Sequence, residues 1–211
     1  MKNRIKYPRT YHLPFSPGIT SDDKVLKNID NFIGKEIVIT EKMDGENTTI
    51  YNDYCHARSI DSKHQEYHSW LLNVIPMFQY SIPMKWRICG EYLYVRHSIK
   101  YDNLPSYFMI FSVWNENNEC LSWDDTELAA AALCLHTVPV LYRGIFDEEV
   151  VKKIAKEAVD RGGEGIVVRL ADGFKYNDFD KSIAKYVRRN HVQTNEHWSH
   201  GKIENNLLKG D

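Results

Sequence analysis

Two periods of apolar spacing alternate along this chain, and the places where one gives way to the other predict its elements. Residues 7–18, YPRTYHLPFSPG, hold three prolines and a glycine and predict an extended or turning backbone, aromatic enough to pack on the domain. SDDKVLKNIDNFIG predicts a short capped helix ending at Gly34. From Glu36, β-branched runs flank a turn in EIVITEKMDGENTTIYND, which predicts a strand, a sharp connection containing Asp44-Gly45 and a returning strand. Lys42 then stands at a strand end. HQEYHSWLLNVIPMF has apolar residues at helical spacing (Tyr67, Trp70, Leu71, Val74, Ile75) and stops at Pro76. KWRICGEYLYV and SYFMIFSVWN read as strands, the second apolar enough to be buried on both faces.

Two helices are predicted over 124–135 and 147–161, each opening with acids as the helix dipole prefers, and Gly162-Gly163 ends the second. EGIVVRL and SIAKYVRR predict two last strands, separated by a polar loop with Asp172, Gly173 and Asn177. Several strands follow one another without a helical crossover, so the expected class is α+β with a mainly antiparallel sheet. No internal repeat or low-complexity run interrupts it.

The length of 211 residues suits one domain over 1–211, and 43% hydrophobic with 27% charged residues suits a folded globular chain. A formal net charge of -2 excludes a global positive field, so any nucleic-acid contact has to come from local clusters of the 27 lysines and arginines. The four cysteines form no CxxC pair, and Cys89 and Cys134 lie in apolar runs where a buried thiol acts as a small hydrophobe. A reduced, cytoplasmic setting is the expectation. Neither a signal-peptide core nor a run of about 18 apolar residues occurs, so no membrane partner is expected.

Candidate chemistry centres on Lys42. A lysine at the end of an apolar strand, before a tight Asp-Gly turn, has its stem packed and its amine presented to a cavity. Desolvation or a nearby cation would lower its pKa and free the lone pair; the alternative is a structural pair with Glu41 or Asp44. Glu91 and Glu164 interrupt apolar runs beside glycines, where a carboxylate needs a metal, a cation, a ribose hydroxyl or an internal salt bridge to Lys42 or Lys185. Lys185 would neutralise phosphate or point to solvent. Arg9 and His12 would line an entrance or tie down the N-terminus. His191, His197 and His200 lack cysteine partners, so their spacing is weak ground for zinc.

In order along the chain, KMDGEN, HARS, CGEYLY, FMIFSVW, EGIVVR and AKYVRR resemble the successive motifs of the covalent nucleotidyltransferase superfamily. The RGGEGIVVR and SIAKYVRRNHVQTNEHW segments are similar to small phage-type ATP-dependent RNA ligases. The resemblance covers residues 41–189, within an expected division into an N-terminal segment (1–35), the motif region (36–190) and a tail (191–211). It implies an α+β nucleotidyltransferase fold of the ATP-grasp-like DNA/RNA ligase type, with flanking helices and no OB domain.

The same resemblance implies that Lys42 attacks the α-phosphorus of ATP, and that AMP then passes to a 5′-phosphate RNA end that a 3′-hydroxyl seals. Glu41 would read adenine, Arg58 and Glu91 would hold the ribose and the reacting end, and Phe111 would stack on the base or simply fill the core. Glu164 would position Mg²⁺ or Mn²⁺. Asp44 would steer that metal or fix the turn. Lys185 would contact the α-phosphate and help depress the Lys42 pKa. The family's final motif often carries a second cation two residues on, where this chain has Val187, leaving Lys181 or Arg188 to supply it. DNA ligation, GTP-dependent capping and an inactive binding module are the alternatives; an accessory protein or a homodimer are the partners considered beside RNA.

Overall fold

The computed structural model describes residues 4–189 and 204–210. In chain order its elements are β1 (Tyr11–His12), β2 (Glu36–Glu41), β3 (Glu46–Tyr51), β4 (Tyr54–Ala57), α1 (Ser69–Val74), β5 (Arg87–Tyr92), β6 (Phe108–Trp114), β7 (Glu119–Cys120) and α2 (Trp123–Ala132). There follow β8 (His136–Thr137), β9 (Val140–Ile145), α3 (Glu148–Asp160), β10 (Gly165–Leu170), β11 (Phe174–Lys175), α4 (Phe179–Ser182) and β12 (Ile183–Val187). The strands form two sheets. The first has the order β1-β12-β10-β2-β9, and the second the order β11-β7-β6-β5-β3-β4 with β8 beside β6. Pairing is antiparallel except at β1–β12 and β6–β8, so the α+β class holds.

Alternation along β10 accounts for its near-continuous apolar run. Ile166 and Val168 join Ile37, Ile39 and Ala184 in a core closed by Val151, Ala155 and Ala158 of α3. Those three helix positions follow the spacing of an amphipathic stripe. Val167 and Arg169, on the opposite face, line a cavity. Helix α3 starts where the Asp147 carboxylate accepts from Glu149 N at 2.9 Å and Val150 N at 3.0 Å, a cap that stabilises by about 1 kcal/mol. In the second sheet Ile50, Ile88, Phe108 and Ile110 pack with Leu71, Ile75 and Phe78 of the α1 region. Both sheets thus carry helices on their outer faces.

Three local expectations are corrected. Residues 21–34 form turns and a bridge instead of a helix: His12 N donates to Lys24 O and Leu26 N donates to His12 O, which pulls the chain out straight there. Side-chain acceptors compete for the same backbone, with Thr20 N donating to Asp23 Oδ2 and Asp30 N to Asn28 Oδ1. The strands around MDGEN do not pair: β2 lies between β10 and β9 and β3 between β5 and β4, so the chain changes sheets at Lys42–Gly45. Cys134 is exposed, because it takes up the left-handed position after α2 (φ 55°), while Cys55, Cys89 and Cys120 are buried thiols.

Among the described residues no helix is long and apolar enough to cross a membrane. His191, His197 and His200 lie outside the described residues.

Candidate functional site

The inner faces of the two sheets enclose a cavity of about 260 Å³. In the first sheet Thr40, Val167, Lys185 and His12 are successive register partners across β2, β10, β12 and β1. Of these, Thr40, Val167 and Lys185 face the cavity. The second sheet contributes Asn47 and Glu91, which are cross-strand partners, and Phe111. Tyr7, Arg9 and Asp23 wall it on the N-terminal side, and Arg58 stands at the exposed rim.

Lys42 and Glu164 meet because they sit at the matching ends of antiparallel neighbours. Ile166 pairs with Glu41, and Lys42 N donates to Gly165 O at 3.0 Å, which sets residue 42 opposite residue 164. A Cβ on Gly165 would lie 1.9 Å from Tyr186 O, so glycine is needed for β12 to pass this close. Lys42 Nζ donates to Glu164 Oε2 at 2.6 Å, with 24% and 7% of the two side chains exposed.

The expected low pKa for Lys42 is corrected by its surroundings. Burial disfavours the ammonium, but Glu164, Glu91 and Asp44 outweigh it and hold Lys42 above the ordinary lysine value. Lys185 is the one held below, by burial and by repulsion from Lys42, with Asp23 opposing. The Lys42–Glu164 pair is the internal salt bridge that the sequence allowed. Glu91 is pushed up to about 8, by burial first and also by Glu164 and Asp44, against the attraction of Lys42; its Oε1 accepts from Gly45 N at 3.1 Å. A Cβ on Gly45 would lie 2.4 Å from Tyr92 O, so this turn too requires a bare backbone. Burial also raises Glu41, against the nearby Arg161.

Asp44 is occupied elsewhere. Its Oδ2 accepts from Ser98 N (2.8 Å), Ser98 Oγ (2.6 Å) and Ile99 N (3.0 Å), and its own N–H donates to Tyr101 Oη (2.9 Å). This is the turn-fixing arrangement, with the carboxylate directed to the 98–101 segment. That segment is in turn clipped by Asn206, fully buried, whose Oδ1 accepts from Tyr101 N (2.9 Å) and whose Nδ2 donates to Leu93 O (2.7 Å).

The remaining candidates divide. Phe111 lines the cavity and meets Tyr7 edge-on at 5.1 Å, so it is both wall and core. Arg58 has no carboxylate within ion-pair distance among the described residues, and burial and Arg9 lower its pKa. Arg169, by contrast, is spent on Phe111 O (3.0 Å) and Leu121 O (2.9 Å). Lys181 pairs with Asp178 on the surface, whereas Arg188 N donates to Glu164 O at 3.0 Å, which puts Arg188 beside the site. His12 lies in the wall behind Lys185, not at an entrance.

Asn47 and Asp23 were not candidates from the sequence. The Asn47 Oδ1 atom is buried with no hydrogen-bond partner and belongs to the cavity lining. Its one sequence signal is an amide at an inward position of the β-branched run ENTTIY. Asp23 was concealed by SDD, which reads as a helix cap.

Among the described residues no group of three or more His, Cys, Asp or Glu side chains makes a ready cage for a metal. The Glu164 carboxylate, and Glu91 once it releases its proton, would suit a hard cation held through one or two oxygens, water and a phosphate, the habit of Mg²⁺.

The model of the RNA ligase family matches residues 35–187. Among solved structures, an archaeal ATP-dependent RNA ligase aligns with TM-score 0.60 at 15% identity over 86% of this chain and 48% of that one. A Naegleria gruberi RNA ligase with PPi aligns with TM-score 0.58 at 16% identity over 91% and 63%. A variant of that enzyme with ATP and Mn aligns with TM-score 0.57 at 15% identity over 89% and 58%. The chain therefore shares their nucleotidyltransferase fold while spanning about half the length of the archaeal enzyme. No curated protein sequence matches it.

Proposed function

We propose, from the premise that this chain belongs to the RNA ligase family, that it is an ATP-dependent RNA ligase working through a lysyl-AMP adduct on Lys42. The observation that carries this reading is the Lys42 amine lining a cavity of about 260 Å³, with Glu164 on its proton and Lys185 facing the same space. A cavity of about 260 Å³ is near the lower end of small-molecule sites, enough to seat a base and ribose with the phosphates toward solvent.

The chemistry has three phosphoryl transfers, so alignment and charge neutralisation dominate. In the first, the Lys42 nitrogen bonds to the α-phosphorus of ATP and the bond to pyrophosphate breaks. The Lys42 ammonium first gives one proton to solvent, leaving the neutral amine to attack, and Glu164 Oε2, at hydrogen-bond distance, accepts the second proton as the nitrogen–phosphorus bond forms. Lys185 meets the charge growing on the α-phosphate oxygens. Next, a 5′-phosphate oxygen of RNA takes the AMP from Lys42. Finally, a 3′-hydroxyl attacks that 5′-phosphorus and AMP leaves. Glu41 and Phe111 line the part of the cavity that would take adenine, and Arg58 at the rim fits an incoming phosphate. Glu164, through its other oxygen, and Glu91 would hold a divalent cation, Mg²⁺ or Mn²⁺, which when bound supplies positive charge against the phosphates.

Incubation with ATP labelled at the α-phosphate and Mg²⁺ or Mn²⁺ should give an acid-labile protein adduct that Lys42→Ala abolishes. The purified chain should then seal RNA carrying 5′-phosphate and 3′-hydroxyl ends. An adduct with GTP in place of ATP, or no adduct with either, overturns the reading.

A further inference from the structure

The N-terminal wall of the cavity precedes residue 35, where the match to the RNA ligase family begins. Within that wall Asp23 is fixed on both oxygens. Oδ2 accepts from Thr20 N at 3.1 Å and Thr20 Oγ1 at 2.8 Å. Oδ1 faces two cationic or protonatable groups at once, Lys185 Nζ at 3.5 Å and His12 Nε2 at 3.3 Å.

His12 is itself held. It is fully buried, pairs with Lys185 in the β1–β12 register, and its Nδ1 is hydrogen-bonded to Ser16 Oγ at 2.8 Å. Ser16 Oγ also accepts from Val187 N at 3.0 Å, which ties the wall to the strand that carries Lys185. The side chains of Lys185 and Asp23 are 19% and 16% exposed, and both residues line the cavity.

A lysine reaches its target on a flexible four-carbon stem and makes a point-charge contact, so its aim depends on what holds the ammonium. We propose that Asp23, held by Thr20 and with His12 beside it, is a positioning residue that holds the Lys185 ammonium toward the cavity where it meets the α-phosphate. The inference rests on the reading of Lys185 just given. At 3.5 Å the ion pair orients the ammonium and leaves its remaining protons for a phosphate oxygen. The Asp23 carboxylate opposes the lowering of Lys185 by burial and by Lys42 nearby. The N-terminal segment is thus part of the catalytic apparatus of this chain.

The test is a double-mutant cycle on adduct formation from α-labelled ATP, using Asp23→Asn, Lys185→Ala and the pair, with melting temperatures measured alongside. Asp23→Asn should slow the rate at saturating ATP by roughly 10- to 100-fold while changing the KM for ATP by less than about 3-fold, as expected for a misaimed group. The double variant should be no slower than Lys185→Ala alone, and Asp23→Glu should recover most of the rate. If Asp23→Asn does not fold, Thr20→Val, which loosens the same carboxylate, takes its place in the cycle. Independent, multiplying losses would overturn the proposal, as would a faster Asp23→Asn enzyme. Normal rates in Lys185→Ala would overturn it by removing the group through which Asp23 acts, while leaving the Lys42 adduct intact. A wild-type chain that forms no adduct would instead overturn the parent reading along with it.

Discussion

Lys42 Nζ and Glu164 Oε2 are 2.6 Å apart across 122 residues of sequence, a contact made by the antiparallel register of β2 and β10. The Lys42 amine is therefore held as an ammonium by this pairing. Replacing Glu164 with glutamine keeps the shape and removes the charge, so Lys42 should titrate lower and react faster with a small amine-directed acylating reagent at pH 8. Peptide mapping of the labelled protein reads this directly. Equal labelling of Lys42 in both proteins would show that Glu164 does not restrain it.

Glu91 gives a signed dependence on pH. Burial, with repulsion from Glu164 and Asp44, pushes it up to about 8 in the fold despite Lys42, whereas an unfolded chain has an ordinary glutamate near ~4.3. Below the unfolded value both states hold the proton and its contribution to stability is full. As pH rises from there through about 8, the unfolded chain releases the proton more readily, and stability is lost. Glu91→Gln keeps the neutral form throughout. Its melting temperature, in metal-free and nucleotide-free buffer, should fall less than that of wild type between about pH 5 and 9. Parallel melting curves would contradict the raised pKa.

Truncating Asn206 to alanine should cost about 2–3 kcal/mol, because Tyr101 N and Leu93 O would lose partners inside the fold. The loss should also reach the chemistry proposed at Lys42, since Tyr101 Oη accepts from Asp44 N two residues on. Chemical denaturation gives the first quantity and the rate of adduct formation the second. A full drop in stability with an unchanged rate at low temperature would separate the clip from the nucleophile turn.

Cys134 occupies a left-handed conformation after α2, with φ of 55°, and is exposed. An L side chain there is strained by about 1 kcal/mol, and glycine is not. Cys134→Gly should raise the midpoint of unfolding correspondingly without altering adduct formation.

Much of the site was legible in the sequence because its members lie where charged residues break apolar runs. Lys42, Glu91, Glu164 and Lys185 are such interruptions, and folding brings all four to one cavity or its edge. The paired strands β5, β6, β10 and β12 were legible for the same reason, through β-branched and aromatic runs. Short-range signals failed where tertiary contacts overrode them. SDDKVLKNID has the acids and spacing of a helix start, but His12 claims the backbone of Lys24 and Leu26. MDGEN has a hairpin's turn chemistry, but β2 and β3 find partners formed much later in the chain. Strand β9 has exposed, polar-interrupted edge character and escaped notice. The raised pKa of Lys42 has no signal in the sequence because Glu164 and Glu91, distant in sequence, converge on it, with Asp44 adding its charge from the turn, and spacing does not encode convergence.

The change of sheets at Lys42–Gly45 has a mechanical consequence. Glu41 rides on one sheet and Glu91 and Phe111 on the other, while Lys42 is borne by the connection between them. Any sliding or spreading of the two sheets is transmitted along the backbone to residue 42 before it reaches a side chain. If Lys42 is the nucleophile proposed above, occupancy of the cleft and the aim of its nitrogen would be geared together: a cargo that drew the sheets together would also turn the lysine.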